Sequence, residues 1–82
     1  FMEDEYNGTL KSLSSRKIEF TAGGDTYEYD LADDVDVEVD GKNSTVDKLR
    51  ESFRDGVAYV VKIDVDRDDE VTEIIAETNI SP

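Results

Sequence analysis

A small antiparallel β barrel carrying one short helix is the fold class this chain predicts, on three observations. Apolar and acidic residues alternate strictly through Thr26-Tyr27-Glu28-Tyr29-Asp30-Leu31 and again through Val35-Asp36-Val37-Glu38-Val39-Asp40-Gly41, the period of strands with one face in a core and the other in water. The period changes to a helical one only near residues 44–54. Every link between successive strands is short enough for antiparallel pairing, and six short strands hide their edges best by curling into a barrel. The expected order is β-β-β-β-α-β-β, a six-stranded SH3-like or OB-like barrel with the helix plugging one opening.

The first strand runs roughly from Tyr6 to Leu13, anchored by Leu10 and Leu13, with Asn7-Gly8 as a bend or bulge. Ser14-Ser15-Arg16 turns the chain into Lys17-Ile18-Glu19-Phe20-Thr21, where Ile18 and Phe20 face inward. Ala22-Gly23-Gly24-Asp25 supplies the backbone freedom of a tight hairpin, and Tyr27, Tyr29 and Leu31 line the inner face of the third strand. Asp33-Asp34 breaks the run, and a fourth strand takes Val35, Val37 and Val39 inward before the Asp40-Gly41 turn.

Val46, Leu49 and Phe53 then recur at i, i+3 and i+7 as one stripe of a short helix. Ser44 with Asp47 matches a capping box and Asp55-Gly56 supplies the stop. Period 2 returns at Val57, Tyr59, Val61, Ile63 and Val65, followed by an acidic turn over 66–70 and a last strand over 71–78, in which the Ile74-Ile75 doublet signals a bulge.

Composition narrows the function. Eighty-two residues make one domain over 1–82, burying about 60–65% of the unfolded surface and leaving no material for a second core. Cysteine, histidine and tryptophan are absent, which removes disulfides, thiol chemistry and the usual general base near neutral pH. Twenty-two acids against nine bases give a net charge of −13, which repels phosphate backbones and anionic membrane surfaces, so neither nucleic acid nor membrane is an expected partner. No apolar run approaches the ~20 residues of a membrane helix. Phe1 ahead of Met2, and the end at Asn79-Ile80-Ser81-Pro82, read as cut points, so the segment is expected to be excised from a longer multi-module protein and to be a monomer in isolation.

The strongest candidate for chemistry is Asp64-Val65-Asp66-Arg67-Asp68-Asp69-Glu70, whose first, third and fifth positions match the acidic ligands of a calcium-binding loop. The sixth position, where Gly belongs, is Asp69, and the twelfth, where a bidentate Glu belongs, is Ile75. An acidic hairpin turn is the first reading; a weak calcium site at Asp64, Asp66, Asp68 and Glu70 is the alternative, and no other cofactor is expected. Asp36, Glu38 and Asp40 share a strand face at about 7 Å spacing, too far apart to chelate one ion without a partner strand. Asp25-Thr26 begins an aspartic-protease-like motif, but Tyr27 holds its Gly position and no second copy exists; the expectation is a non-catalytic domain. Tyr27, Tyr29 and Tyr59 sit at inward positions, so they read as core rather than as a stacking platform for sugars. Asn7-Gly8-Thr9 and Asn43-Ser44-Thr45 match glycosylation sequons and are equally explained as turn and cap chemistry.

Gly8-Thr9-Leu10-Lys11-Ser12-Leu13, the hairpin from Ile18 to Leu31, the strand from Val35 to Asp40 with Gly41-Lys42, then Val46-Asp47-Lys48-Leu49, the strand from Val57 to Asp66 and the return from Val71 to Ile75 together make a layout. Over residues 6–78 it resembles the small β-barrel repeat modules found in tandem in S-layer-like, cell-surface proteins of Gram-positive bacteria. The link Arg50-Glu51-Ser52-Phe53-Arg54-Asp55-Gly56 is longer than the brief Leu-x-x-Gly passage of those modules. The resemblance implies a structural spacer at the cell wall or outside the cell, whose partners are neighbouring modules or envelope components. The alternative is an acidic protein-binding module, imitating a polyanion, in which the face from Asp33 to Asp40 meets a basic partner.

Overall fold

The computed structural model describes residues 4–79. The ends read as cut points, 1–3 and 80–82, lie outside the described residues. The strands are β1 (Asp4–Leu13), β2 (Lys17–Ala22), β3 (Asp25–Val39) and β4 (Lys42–Ser44); helix α1 (Val46–Arg54) follows, then β5 (Tyr59–Val65) and β6 (Glu70–Thr78).

Five of the strands close on themselves in the order β2-β1-β5-β6-β3, with β3 returning to β2, and β4 is an extra strand on β3. The mainly β barrel with one short helix is therefore the architecture, with five strands in the closed circuit and the sixth outside it rather than six in the barrel. Several details differ from the sequence reading. Asp33-Asp34 does not end a strand: β3 runs unbroken for 15 residues, and the two acids lie exposed in a bulge where Leu31 opposes Val71 and Asp36 opposes Glu73. An extra stretch on one strand bends it without ending its pairing. The barrel is also not wholly antiparallel, because β3 and β6 pair parallel. Short links constrain only successive strands; β3 and β6 are separated by β4, α1 and β5, ample chain for a parallel return.

The core contains Leu10, Leu13, Ile18, Phe20, Val37, Leu49, Tyr59, Val61, Ile63, Val65, Val71, Ile74 and Ala76. Among the described residues no polar or charged residue is buried. Leu49 is 1% exposed and is the one buried residue of α1, so the helix seals the barrel through one side chain, with Val46 and Phe53 packed beside it. Its cap is Thr45, whose Oγ1 accepts from the Lys48 N–H at 3.2 Å. Ser44, the expected cap, is instead the last residue of β4, paired with Val37. The bulge in β6 falls at Thr72, since Asp64 opposes Glu73 while Val65 opposes Val71. Ile74 thereby turns inward and Ile75 outward.

Gly8 marks the seam. Up to Thr9, β1 pairs with β5; from Thr9 onward it pairs with β2. A Cβ on Gly8 would lie 1.8 Å from the Thr21 carbonyl oxygen, so only glycine lets the two backbones pass this closely.

Candidate functional site

Strand alternation sends one side chain in two to the solvent face, and register decides which of these meet. Glu5 on β1 opposes Asp64 on β5, Asp64 opposes Glu73 on β6, and Glu73 opposes Asp36 on β3. Four carboxylates thus cross four strands in one row, directly opposed at the roughly 4.5–5.5 Å of cross-strand neighbours. Glu73 sits in the middle. A hydrogen bond with Asp64, then desolvation and repulsion from Asp64 and Asp36, raise its pKa, while Lys62 works the other way. Lys62 leans from the adjacent row to reach Glu5 at 3.4 Å.

The next row along runs Asn7, Lys62, Ile75 and Glu38, and the one beyond sets Thr9 and Glu77 on either side of Val60. Val60, 38% exposed, is the exposed large apolar side chain of the described residues, and with Asn7, Gly8, Thr9, Lys62 and Ile75 it lines a shallow, mixed groove. The partner strand that Asp36, Glu38 and Asp40 lack in the sequence is therefore β6, and it contributes another acid.

The four residues weighed for calcium are distributed by the β5–β6 turn. Asp64 belongs to the carboxylate row. Asp66 turns its Oδ1 inward on the turn, accepting from the N–H groups of Asp68 at 2.9 Å and Glu70 at 3.1 Å, while its own N–H donates to the Glu70 carbonyl at 2.9 Å. That is the local bonding by which Asp nucleates turns. Asp69, at the Gly position of the calcium-loop pattern, has φ 60, so the backbone takes the left-handed form that pattern asks for without the residue that favours it. Asp68 and Glu70 are exposed. Among the described residues no three Asp or Glu side chains are grouped so as to hold a metal ion.

Tyr6, Tyr27, Tyr29 and Phe20 form one aromatic cluster bridging β1 and the β2–β3 hairpin. Tyr6 and Tyr27 have ring centroids 4.7 Å apart, Phe20 and Tyr27 lie at 5.6 Å, and the Tyr6 and Tyr29 hydroxyls share a hydrogen bond of 2.9 Å. That bond, followed by burial, pushes the Tyr29 phenol well above its ordinary pKa. Phe20, Tyr27 and Tyr29 stack on one another and Tyr6 lies tilted against all three; Phe20 is fully buried, Tyr27 and Tyr29 are half-buried against the core, and Tyr59, outside this cluster, is nearly buried, so the rings read as packing.

Asp40 is legible in the sequence as a turn residue and as the last acid of the Asp36-Glu38-Asp40 face, and its side chain does more. With φ 51 it opens the two-residue β3–β4 turn completed by Gly41 at φ 82. Its Oδ1 accepts from the Thr78 N–H at 2.8 Å and its Oδ2 from the Thr78 hydroxyl at 2.7 Å, and its own N–H donates to the Ala76 carbonyl at 2.9 Å. These bonds favour the charged carboxylate and lower its pKa. The asparagines of both sequons are exposed on paired strands: Asn7 opposes Lys62 and Asn43 opposes Glu38.

Fold and surface together define a class, a small acidic barrel module with a filled interior. Comparison with known protein families, with curated proteins and with solved structures finds no match.

Proposed function

We propose that this barrel is a non-catalytic structural or spacer module of an extracellular, envelope-associated, S-layer-like protein, working as a monomeric unit beside other modules of its chain. The observation that carries the reading is how the polar side chains are spent. Among the described residues none is buried, and Asp66, Thr45 and Asp40 each bond to the backbone of a turn, a cap or a strand end. Polar groups committed to local structure hold shape rather than wait for a substrate. The layout shared with S-layer-like repeat modules supports the same reading.

Module exchange in the parent protein tests it. Replacing residues 4–79 with an unrelated barrel of similar length should preserve surface display and assembly. Loss of assembly on exchange, with display intact, would sink the spacer reading.

The row formed by Glu5, Asp64, Glu73 and Asp36 favours a second reading, an acidic protein-binding module for a basic partner. Under it, a Lys-rich peptide would shift the amides of these four residues first, and the midpoint would weaken steeply with salt. Shifts spread evenly over the surface would count against it.

A further inference from the structure

We infer that the barrel is built to bear tension along its strands, because the chain enters at one end of the β5 ladder and leaves at the other. This deepens the structural reading above and rests on it.

Strand β5 is flanked by β1 and β6, each antiparallel to it, so β1 and β6 run the same way. β1 begins where Asp4 opposes Val65, and β6 ends where Thr78 opposes Tyr59. Those positions lie at the two ends of β5, about 20 Å apart at the rise of a strand. A pull on the chain through Asp4 and Thr78 therefore acts along the strands in opposite senses. It shears the β1–β5 and β5–β6 ladders. Six register pairs in the first and seven in the second share the load, and the parallel β3–β6 pairing resists the same movement.

The exit of β6 is fastened on both sides. Asp40 holds the backbone and the hydroxyl of Thr78, and the Asn79 N–H donates to the Ala58 carbonyl at 2.8 Å. Force arriving at Thr78 passes through these bonds into the β3–β4 turn and the start of β5 before it reaches the ladders. At the entrance, Lys62 ties Glu5 across the first rungs.

Single-molecule stretching of the whole 82-residue chain in two directions tests the inference. The chain has no cysteine, so attachment points can be chosen freely. One direction uses the two termini. The other uses the N-terminus and Asp68→Cys in the β5–β6 turn, beside the Val65 end of β5, which peels β1 from β5 one pair at a time. At matched loading rates the terminal direction should rupture at a force at least about twice that of the peeling direction, since forced unfolding follows the barrier along the loaded path. Equal forces, or a weaker terminal direction, would overturn the inference while leaving module exchange free to support an unloaded spacer. Asp40→Ala should lower the terminal force and leave the peeling force unchanged; lowering both alike would show that Asp40 contributes stability only. Thr78→Val, which removes the hydroxyl but keeps the backbone donor, repeats that test if Asp40→Ala does not fold.

Discussion

Gly8→Ala probes the barrel's closure more sharply than any core truncation. The new Cβ would stand 1.8 Å from the Thr21 oxygen, 2.8 Å from the Thr21 carbonyl carbon and 3.1 Å from the Ala22 Cβ. The first two are backbone atoms in the β2–β3 hairpin, so no rotamer change relieves the clash. Restoring ordinary contact requires β1 and β2 to separate by about 1.5 Å, which forces a well-packed seam open at about 1–3 kcal/mol. Stretching one or two ladder bonds next to it, at the Thr9–Thr21 pair, adds about 0.5–1.5 kcal/mol each. Against this, Ala narrows the unfolded ensemble and returns about 0.4–1 kcal/mol. The net loss expected is about 2–4 kcal/mol, which for a domain of this size lowers the melting temperature by roughly 10–30 °C. Urea and thermal melts followed by far-UV circular dichroism measure it. Gly24→Ala is the control, since that glycine has φ 88 and nothing within 4 Å of its would-be Cβ, so only the left-handed backbone term of about 1–2 kcal/mol applies. A Gly8→Ala loss below that of Gly24→Ala would refute the account of β1 crossing from β5 to β2 at this residue.

Leu49→Ala should cost about 2–5 kcal/mol in urea melts, as for a buried leucine, and a loss under about 0.5 kcal/mol would mean that α1 does not seal the barrel. Glu73→Gln should raise stability at neutral pH by about 0.2–1 kcal/mol by removing like charges directly opposed in the row. The folded state binds the Glu73 proton more tightly than the unfolded chain does, so its share of stability grows as pH falls through the folded pKa, and melts of the variant should be flatter there than those of the parent. Asp40 behaves oppositely: its folded pKa is lowered, its contribution is complete above the unfolded pKa and fades as pH falls through the folded one, and Asp40→Asn should erase that fading. Asp69→Gly should gain about 0.5–2 kcal/mol by relieving a left-handed, non-glycine backbone, and a loss on thermal melting would show that the Asp69 side chain holds the turn.

Alternation made the inner and outer faces legible: Tyr27, Tyr29, Val37, Tyr59 and Ile63 lie where a period of 2 puts them. The helix was equally legible from Val46, Leu49 and Phe53. Register across non-sequential strands was not, and most of what the sequence missed follows from that. The parallel β3–β6 pair, the row joining Glu5, Asp64, Glu73 and Asp36, and the reach of Asp40 to Thr78 all unite residues at least 37 positions apart within each neighbouring pair except the local Asp64–Glu73 hairpin partners. Parity says that each of these acids faces outward; it does not say which ones meet. The continuity of β3 was hidden for a different reason, because two adjacent acids end a strand or line a bulge with the same local pattern, and only a partner that resumes pairing decides between them.

The parallel β3–β6 pair also sets the order of events as the chain folds. Asp30 pairs with Glu70, forty positions on, and Val37 with Ile74, whereas β1–β2, β2–β3 and β5–β6 are hairpins that close over short loops. Loop-closure entropy lets the hairpins form early and leaves this pairing until late. Until then β6 presents an open parallel edge and β3 an unfilled slot for it. At high protein concentration a second copy's β6 fits the same slot, and the product is two intertwined barrels in place of two separate ones. Ile74 and Ala76, buried on the strand that fills that slot, are the positions where a substitution would shift the balance between the two outcomes.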